Sequence, residues 1–197
     1  MDVEPTPTER TPTDPAAGVH AIDPDIRRRL AGIRLLCLDV DGVLTDGSLY
    51  FTDAGTELKT FSSQDGHALK MLRGTGVRTA IITGRSSRLV ARRARELDID
   101  HLYQGARDKR VAFAGLLVKS GLPAGAVAHM GDDIPDLPIL NHEGLGLAAA
   151  PANLNPCIRP FVHHVTAAAG GAGAVRELCE LLMRVQGSWD AALGAHL

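Results

Sequence analysis

The stretch Ile33-Arg34-Leu35-Leu36-Cys37-Leu38-Asp39-Val40-Asp41-Gly42-Val43-Leu44-Thr45-Asp46-Gly47 is an apolar strand, 33–40, that runs straight into a polar, glycine-bearing loop. Upstream, a short helix over 25–31 leads into it. Downstream, a hairpin pairs 48–51 with 57–61 across a turn at Thr52-Asp53-Ala54-Gly55. A helix over 66–73, a strand over 77–83 and an arginine-rich helix over 86–97 follow. Next come a short strand, 101–103, and a helix, 109–120. Strand 127–130 ends at Gly131-Asp132-Asp133, and is followed by a helical 134–141, extended segments at 145–148 and 161–165, and a last helix from 174 to about 185. Parallel neighbours need crossover connections, so strands alternating with helices predict an α/β fold built on a doubly wound sheet.

Composition bounds what such a chain does. It has 197 residues, a formal net charge of -2, 45% hydrophobic and 22% charged residues, which argues against a nucleic-acid binder, a membrane-surface protein or a disordered chain. Aromatic residues are only 4% while glycines number 21, so the core is aliphatic and the backbone turns often. Cys37, Cys157 and Cys179 are an odd count at unrelated spacings, which fits neither a disulfide framework nor a zinc site and makes a reducing cytoplasm the expected location. No apolar run is long enough to span a bilayer, and the first residues are acidic and Pro/Thr-rich rather than basic then apolar. Residues 1–22, with four prolines and four threonines, are expected to be a disordered tail before one domain, 23–197.

Ligands of open α/β sheets bind outside the carboxyl ends of the strands. Asp39, Asp41 and Asp46 follow the first strand, and Thr83, Gly84 and Arg85 follow strand 77–83. Gln104, Gly105, Asp108 and Lys109 come after strand 101–103, and Gly131, Asp132, Asp133 and Asp136 after strand 127–130. Carboxylates gathered at one rim suit Mg²⁺, which prefers oxygen ligands and leaves positions open for phosphate, while Lys109 and the Thr83 hydroxyl supply donors for a phosphoryl group. Asp39 and Asp41, at i and i+2 of an extended strand end, share a face. One can attack phosphorus while the other manages protons. Asp133 and Asp136 are read as caps or supports of the following helix rather than ligands, and Lys109 at a helix start runs against the dipole, which favours a functional role. His163 and His164 lack partners at ligand spacing and read as structural. Cys37 reads as an inert buried thiol.

Asp39-Val40-Asp41-Gly42-Val43-Leu44-Thr45-Asp46-Gly47, Thr83, Lys109 and Gly131-Asp132-Asp133-Ile134-Pro135-Asp136 resemble, in order, the four motifs of the haloacid dehalogenase superfamily. Ile81-Ile82-Thr83-Gly84-Arg85, Leu102-Tyr103-Gln104-Gly105 and Gly170-Gly171-Ala172-Gly173-Ala174-Val175-Arg176-Glu177 narrow the resemblance to the 3-deoxy-D-manno-octulosonate 8-phosphate (KDO 8-phosphate) phosphatases, over about 33–197. That resemblance implies a Rossmann-like, mainly parallel sheet with helices on both faces and a small β-hairpin in place of a cap domain. It implies a Mg²⁺-dependent phosphomonoesterase of lipopolysaccharide precursor synthesis, assembled as a homotetramer.

By the same resemblance Asp39 is nucleophile and metal ligand, Asp41 is acid/base and offers its backbone carbonyl to the metal, and Asp132 is the third protein ligand. Thr83 and Lys109 hold the phosphoryl group. Ser62, Ser63, Gln64, Asp65 and Gly66 correspond to a substrate-contacting loop, and Gly84, Arg85, Arg93 and Arg176 to positions near the sugar acid. Gln64 departs from the arginine usual in relatives, which keeps a nine-carbon keto-sugar acid 9-phosphate as an alternative substrate. A phosphoacceptor receiver domain is the alternative from another class, although its paired acids follow the first strand whereas here the Gly-Asp-Asp pair comes late. Neither the interval from Asp41 to Thr83 nor that from Thr83 to Lys109 holds a cap, so a neighbouring subunit is expected to cover the site. The hairpin and the C-terminal tail are the expected contact elements, and the flexible Gly170–Gly173 run and Arg176 the candidates for reaching across.

Overall fold

Side chains along each central strand point alternately into two cores, and this alternation defines the architecture. A computed structural model of the chain describes residues 22–197. The expected tail lies outside the described residues except for Ile22, which packs against the core. The elements are α1 (Pro24–Gly32), β1 (Leu35–Leu38), β2 (Tyr50–Phe51), β3 (Glu57–Leu58), α2 (Ser63–Gly74), β4 (Arg78–Ile82), α3 (Arg88–Glu96) and β5 (His101–Tyr103). They continue with α4 (Lys109–Ser120), β6 (Val127–Met130), α5 (Leu137–Leu140), β7 (Leu147–Ala150), β8 (His164–Val165), α6 (Ala174–Val185) and α7 (Trp189–Gly194). The main sheet has the order β5-β4-β1-β6-β7-β8 and every pair in it is parallel.

Leu36 and Leu38 of β1, Ile81 of β4 and Met130 of β6 face one core, closed by α1, α2, α3, α6 and α7. Leu35, Cys37, Ala80, Ile82 and Val127 face the other, closed by α4 with Phe113 and Leu116 and by α5 with Ile139 and Leu140. The sheet is therefore doubly wound, as the alternation of strands and helices predicts. The chain leaves β1 for β4 and β5 on one side, then crosses back to β6, β7 and β8 on the other. This reversal opens a crevice at the carboxyl end of β1, the place where such sheets bind ligands.

Several boundaries differ from the sequence reading. Helix α2 starts at Ser63 rather than 66, because the Ser62 hydroxyl accepts the Asp65 N–H (3.2 Å) and caps it. Gly66 sits inside that helix because the Arg93 guanidinium occupies the space a Cβ would need, 2.2 Å away. The 134–141 segment divides into a 3₁₀ turn, Ile134–Asp136, and the short α5. Strand β7 lies two residues later than expected, since Gly146 is spent on a close backbone crossing with Gly125. The 161–165 strand shrinks to β8 behind a 3₁₀ helix, Pro156–Phe161. Helix α7, anchored by buried Trp189, was not foreseen.

Candidate active site

Strand β1 delivers Asp39 into the crevice, with its N–H bonded to the Met130 carbonyl of β6 (3.0 Å). The chain then coils tightly: the N–H groups of Val43, Leu44 and Thr45 all point to the Val40 carbonyl, and the buried Thr45 hydroxyl donates to it while accepting from Gly47 N–H (3.2 Å). Gly42 has φ +88°, and a Cβ there would fall 2.0 Å from Asp132 Oδ2, so glycine is required both by conformation and by the carboxylate packed over it. From the far side Asn153 donates to the Gly42 carbonyl (3.2 Å) and accepts the Gly170 N–H (2.7 Å). Asn155 N–H bonds the Asp132 carbonyl (2.7 Å), so one loop braces both acidic turns.

A cavity of about 640 Å³ opens over this floor, and Asp39, Asp41, Thr83, Arg85, Lys109 and Asp132 all line it, as does Gly84. Lys109, the first residue of α4 and almost wholly buried, contacts Asp39 Oδ2 (2.9 Å) and Asp136 Oδ1 (2.7 Å). Ligand atoms of Asp39, Asp132 and Asp136 lie within 4.8 Å of one another. Burial, reinforced by the charge of Asp136, pushes Asp39 up to about 6, and burial with the charges of Asp136 and Asp39 pushes Asp132 up to about 7. Burial also opposes ionisation of Asp136, but His129 and Lys109 overcome it and hold that carboxyl below the usual range. Asp39 Oδ1 and Asp132 Oδ1 are buried without a hydrogen-bond partner. Two orphaned, mutually repelling carboxylate oxygens are what a bound hard cation would relieve, so these residues fit Mg²⁺.

Asp136 takes the supporting role read for it, and two further participants, His129 and Lys59, were missed by sequence reasoning. Asp136 Oδ1 also meets His129 Nε2 (3.1 Å), while its Oδ2 accepts the N–H of Asp132 (3.3 Å), so this carboxylate is consumed by its own chain. His129, buried at the end of β6, was read only as part of an apolar strand. Lys59, with its side chain 2% exposed, contacts Asp41 Oδ1, and its Nζ is 3.6 Å from Glu57 Oε1.

The structure does not bring the remaining sequence-predicted residues to the cavity. Ser62 is the cap of α2, and Ser63 and Gln64 are exposed in its first turn. Asp65 is buried and accepts the Arg176 N–H (2.7 Å), supplying the cap that α6 lacks after Gly173. Arg93 is laid over Gly66 and donates to the Ser62 carbonyl (3.2 Å). Arg176 Nε pairs with Glu180 on its own helix. The Gly170–Gly173 run, expected to be flexible, is held by its own chain. Gly170 is pressed against the Gly42 carbonyl and Gly171 N–H bonds the Val43 carbonyl (3.0 Å), so the run buttresses the Asp39–Asp46 turn of its own chain.

No protein-family model matches the chain. The curated KDO 8-phosphate phosphatase KdsC of Escherichia coli K12 is 44% identical over 176 residues, covering 89% of this chain and 93% of that protein. A probable yrbi family phosphatase from Pseudomonas syringae pv. phaseolica superposes with TM-score 0.85 at 46% identity, covering 88% of this chain and 98% of that one. The KDO 8-phosphate phosphatase of Moraxella catarrhalis, crystallised with magnesium, phosphate and KDO, gives TM-score 0.84 at 40% identity over 88% of this chain and 98% of that one. With this likeness covering most of the chain, the sheet and its crevice included, the chain belongs to the 3-deoxy-D-manno-octulosonate 8-phosphate phosphatases of the haloacid dehalogenase superfamily, and it is a phosphoric monoester hydrolase.

Proposed function

We propose that the protein hydrolyses KDO 8-phosphate to the free sugar acid and inorganic phosphate, with Mg²⁺ held by Asp39, Asp132 and the Asp41 backbone carbonyl. The observation that carries this reading is Asp39: one oxygen is fixed on Lys109 and the other is unpartnered on the cavity floor. The ion, when bound, neutralises charge that would otherwise keep a phosphate dianion from a carboxylate nucleophile. Asp39 then attacks phosphorus to give an aspartyl-phosphate, Thr83 and Lys109 hold the phosphoryl oxygens, and Asp41 gives its proton to the departing alkoxide before activating water. Asp136, already shared between Lys109, His129 and a backbone N–H, serves by orienting Lys109. Arg85 and Arg107 line the same cavity and supply cations for the sugar-acid carboxylate.

Four apolar residues of the hairpin are exposed on the described chain, Leu49, Tyr50, Phe51 and Leu58, which supports assembly through this element into the homotetramer the family resemblance implies. In such an assembly Ser62, Ser63, Gln64 and Arg176 would meet substrate at a neighbour's site. The three cysteines, none of them paired with another, support a cytoplasmic location, and the family resemblance implies a place in lipopolysaccharide precursor synthesis. Phosphate release from KDO 8-phosphate, measured against a nine-carbon keto-sugar acid 9-phosphate with and without chelator, tests the reading. Activity on the first substrate, lost reversibly on chelation and absent in Asp39→Asn, is expected. Equal turnover of both phosphates removes the substrate assignment, and an active Asp39→Asn removes the nucleophile.

A further inference from the structure

The hairpin meets the crevice through charge. Side chains alternate along β3 and the residue after it, so Glu57 and Lys59 share the face turned to the site while Leu58 between them points outward and is exposed. Lys59 Nζ contacts Asp41 Oδ1 and is 3.6 Å from Glu57 Oε1. Glu57 Oε1 in turn accepts from Arg85 Nη2 (3.1 Å), and Arg85 Nε lies 3.7 Å from Asp41 Oδ2. The four groups close a ring, Asp41–Lys59–Glu57–Arg85, with two positive and two negative members and three separate segments of chain. Glu57 is tied further by the Ser87 hydroxyl donating to Oε2 (2.8 Å). A side chain as buried as Lys59 must have its charge matched, and here both matching carboxylates are fixed in place.

We infer that Lys59 is a positioning residue for the acid/base Asp41: it pins Oδ1 so that the carboxyl addresses the bridging oxygen of the substrate, and the hairpin thereby becomes part of the acid catalyst. This inference rests on the reading of Asp41 as acid/base. As the alcohol leaves, the bond from phosphorus to the bridging oxygen breaks and its electron pair stays on that oxygen. The O–H bond of the Asp41 carboxyl breaks, a new O–H bond forms on the alcohol, and the carboxylate left behind stands against the Lys59 ammonium. Lys59 loses no proton and touches no substrate atom.

Leaving-group dependence tests this, because an alkoxide needs the proton and a nitrophenolate departs without it. The ratio kcat/KM reports only the steps up to departure of the alcohol, so later hydrolysis of the enzyme phosphate does not mask the effect. For Lys59→Met, kcat/KM on KDO 8-phosphate is expected to fall about 10²-fold, the size of a general-acid contribution, with kcat falling too, while kcat/KM on 4-nitrophenyl phosphate changes by less than about threefold. Equal losses on both substrates overturn the inference, as would unchanged kcat/KM on the sugar acid or a loss carried by KM alone. If Lys59→Met does not fold, Glu57→Gln, which loosens Lys59 from its other side, is expected to show the same contrast at smaller size, and equal losses in that variant overturn the inference as well. Should wild type ignore KDO 8-phosphate, the substrate assignment fails by itself, and the same ratios are read on whichever sugar phosphate it does hydrolyse.

Discussion

Asp39, Asp132 and Asp136 sit within one small volume, yet they carry their charge on different terms. Asp136 has His129 and Lys109 and stays ionised, while Asp39 and Asp132 are raised by burial and by the carboxylates around them. An acid whose folded pKa exceeds its unfolded value contributes stability that is complete below the unfolded value, near 3.8, and lost as pH rises through about 6 to 7. Without metal, the crevice therefore works against folding at neutral pH. In chelator, Asp132→Asn should melt higher than wild type by an amount that grows from pH 5 to pH 8, reaching of order 2 kcal/mol after allowance for water reaching the carboxyl. Magnesium should reverse the order, since only wild type keeps the full ligand set. Melting curves that stay parallel across this pH range would contradict it. Asp39, Asp132 and Lys109 were legible in the sequence because their positions follow strand ends and their chemistry needs no third dimension. His129 and Lys59 were not: each is a polar residue on or beside a strand, and only the fold shows that it faces a carboxylate.

Loops around the crevice behave as one element because their backbones interlock. Gly170 lies so close to the Gly42 carbonyl that an added Cβ would be 1.8 Å from it, and the neighbour is backbone that has nowhere to go. Gly170→Ala should cost about 2 kcal/mol or more and reduce turnover further than its loss of stability explains, because the displaced atom belongs to the turn that holds Asp41. Wild-type melting and turnover in that variant would show the contact to be soft. At the sheet edge, His163 Nδ1 accepts the Ala148 N–H (2.9 Å) while its backbone N–H bonds the Ala148 carbonyl (2.9 Å). A ring nitrogen that accepts from an amide cannot carry a proton. Burial, helped by Arg29, accordingly holds His163 below its usual pKa, and burial does the same to His164. A base depressed in the fold gives stability present above its unfolded pKa and lost as pH falls. Exchange of the Ala148 amide should therefore quicken between about pH 7 and pH 5 relative to central β1 amides, and unchanged protection would refute the latch. The bounds of β5, α4, β6 and α6 were legible from sequence because local signals set them, as with the Asp108 cap and left-handed Gly121 that bracket α4. The start of β7 was hidden because a close contact with Gly125, distant in sequence, decides it, whereas that of α2 is set by the local Ser62 cap, which the glycine at 66 masked.

The whole molecule reconciles a short chain with a reaction that needs a closed site. Both faces of the sheet are filled by helices, and among the described residues the two-stranded hairpin is the element given over to closure. Two strands alone are marginally stable, and this pair is anchored at its base by the charged ring and by the Tyr50 hydroxyl donating to Asp46 Oδ2 (2.7 Å). Because charge holds the inner face, the outer face is free to be apolar, with Leu58 53% and its cross-strand partner Tyr50 42% exposed. A monomer gains nothing from displaying those side chains, whereas the proposed assembly of copies would bury them. Leu58→Glu places a carboxylate in that contact on the face turned away from the ring. By sedimentation the wild-type chain should run as an oligomer and the variant as smaller species. Turnover of the bulky sugar-acid phosphate should fall with dissociation, while turnover of 4-nitrophenyl phosphate, which needs only the groups around Asp39, should be largely kept. A wild-type monomer with full activity on the sugar acid would mean that the crevice closes without neighbours and that the apolar hairpin face serves another purpose.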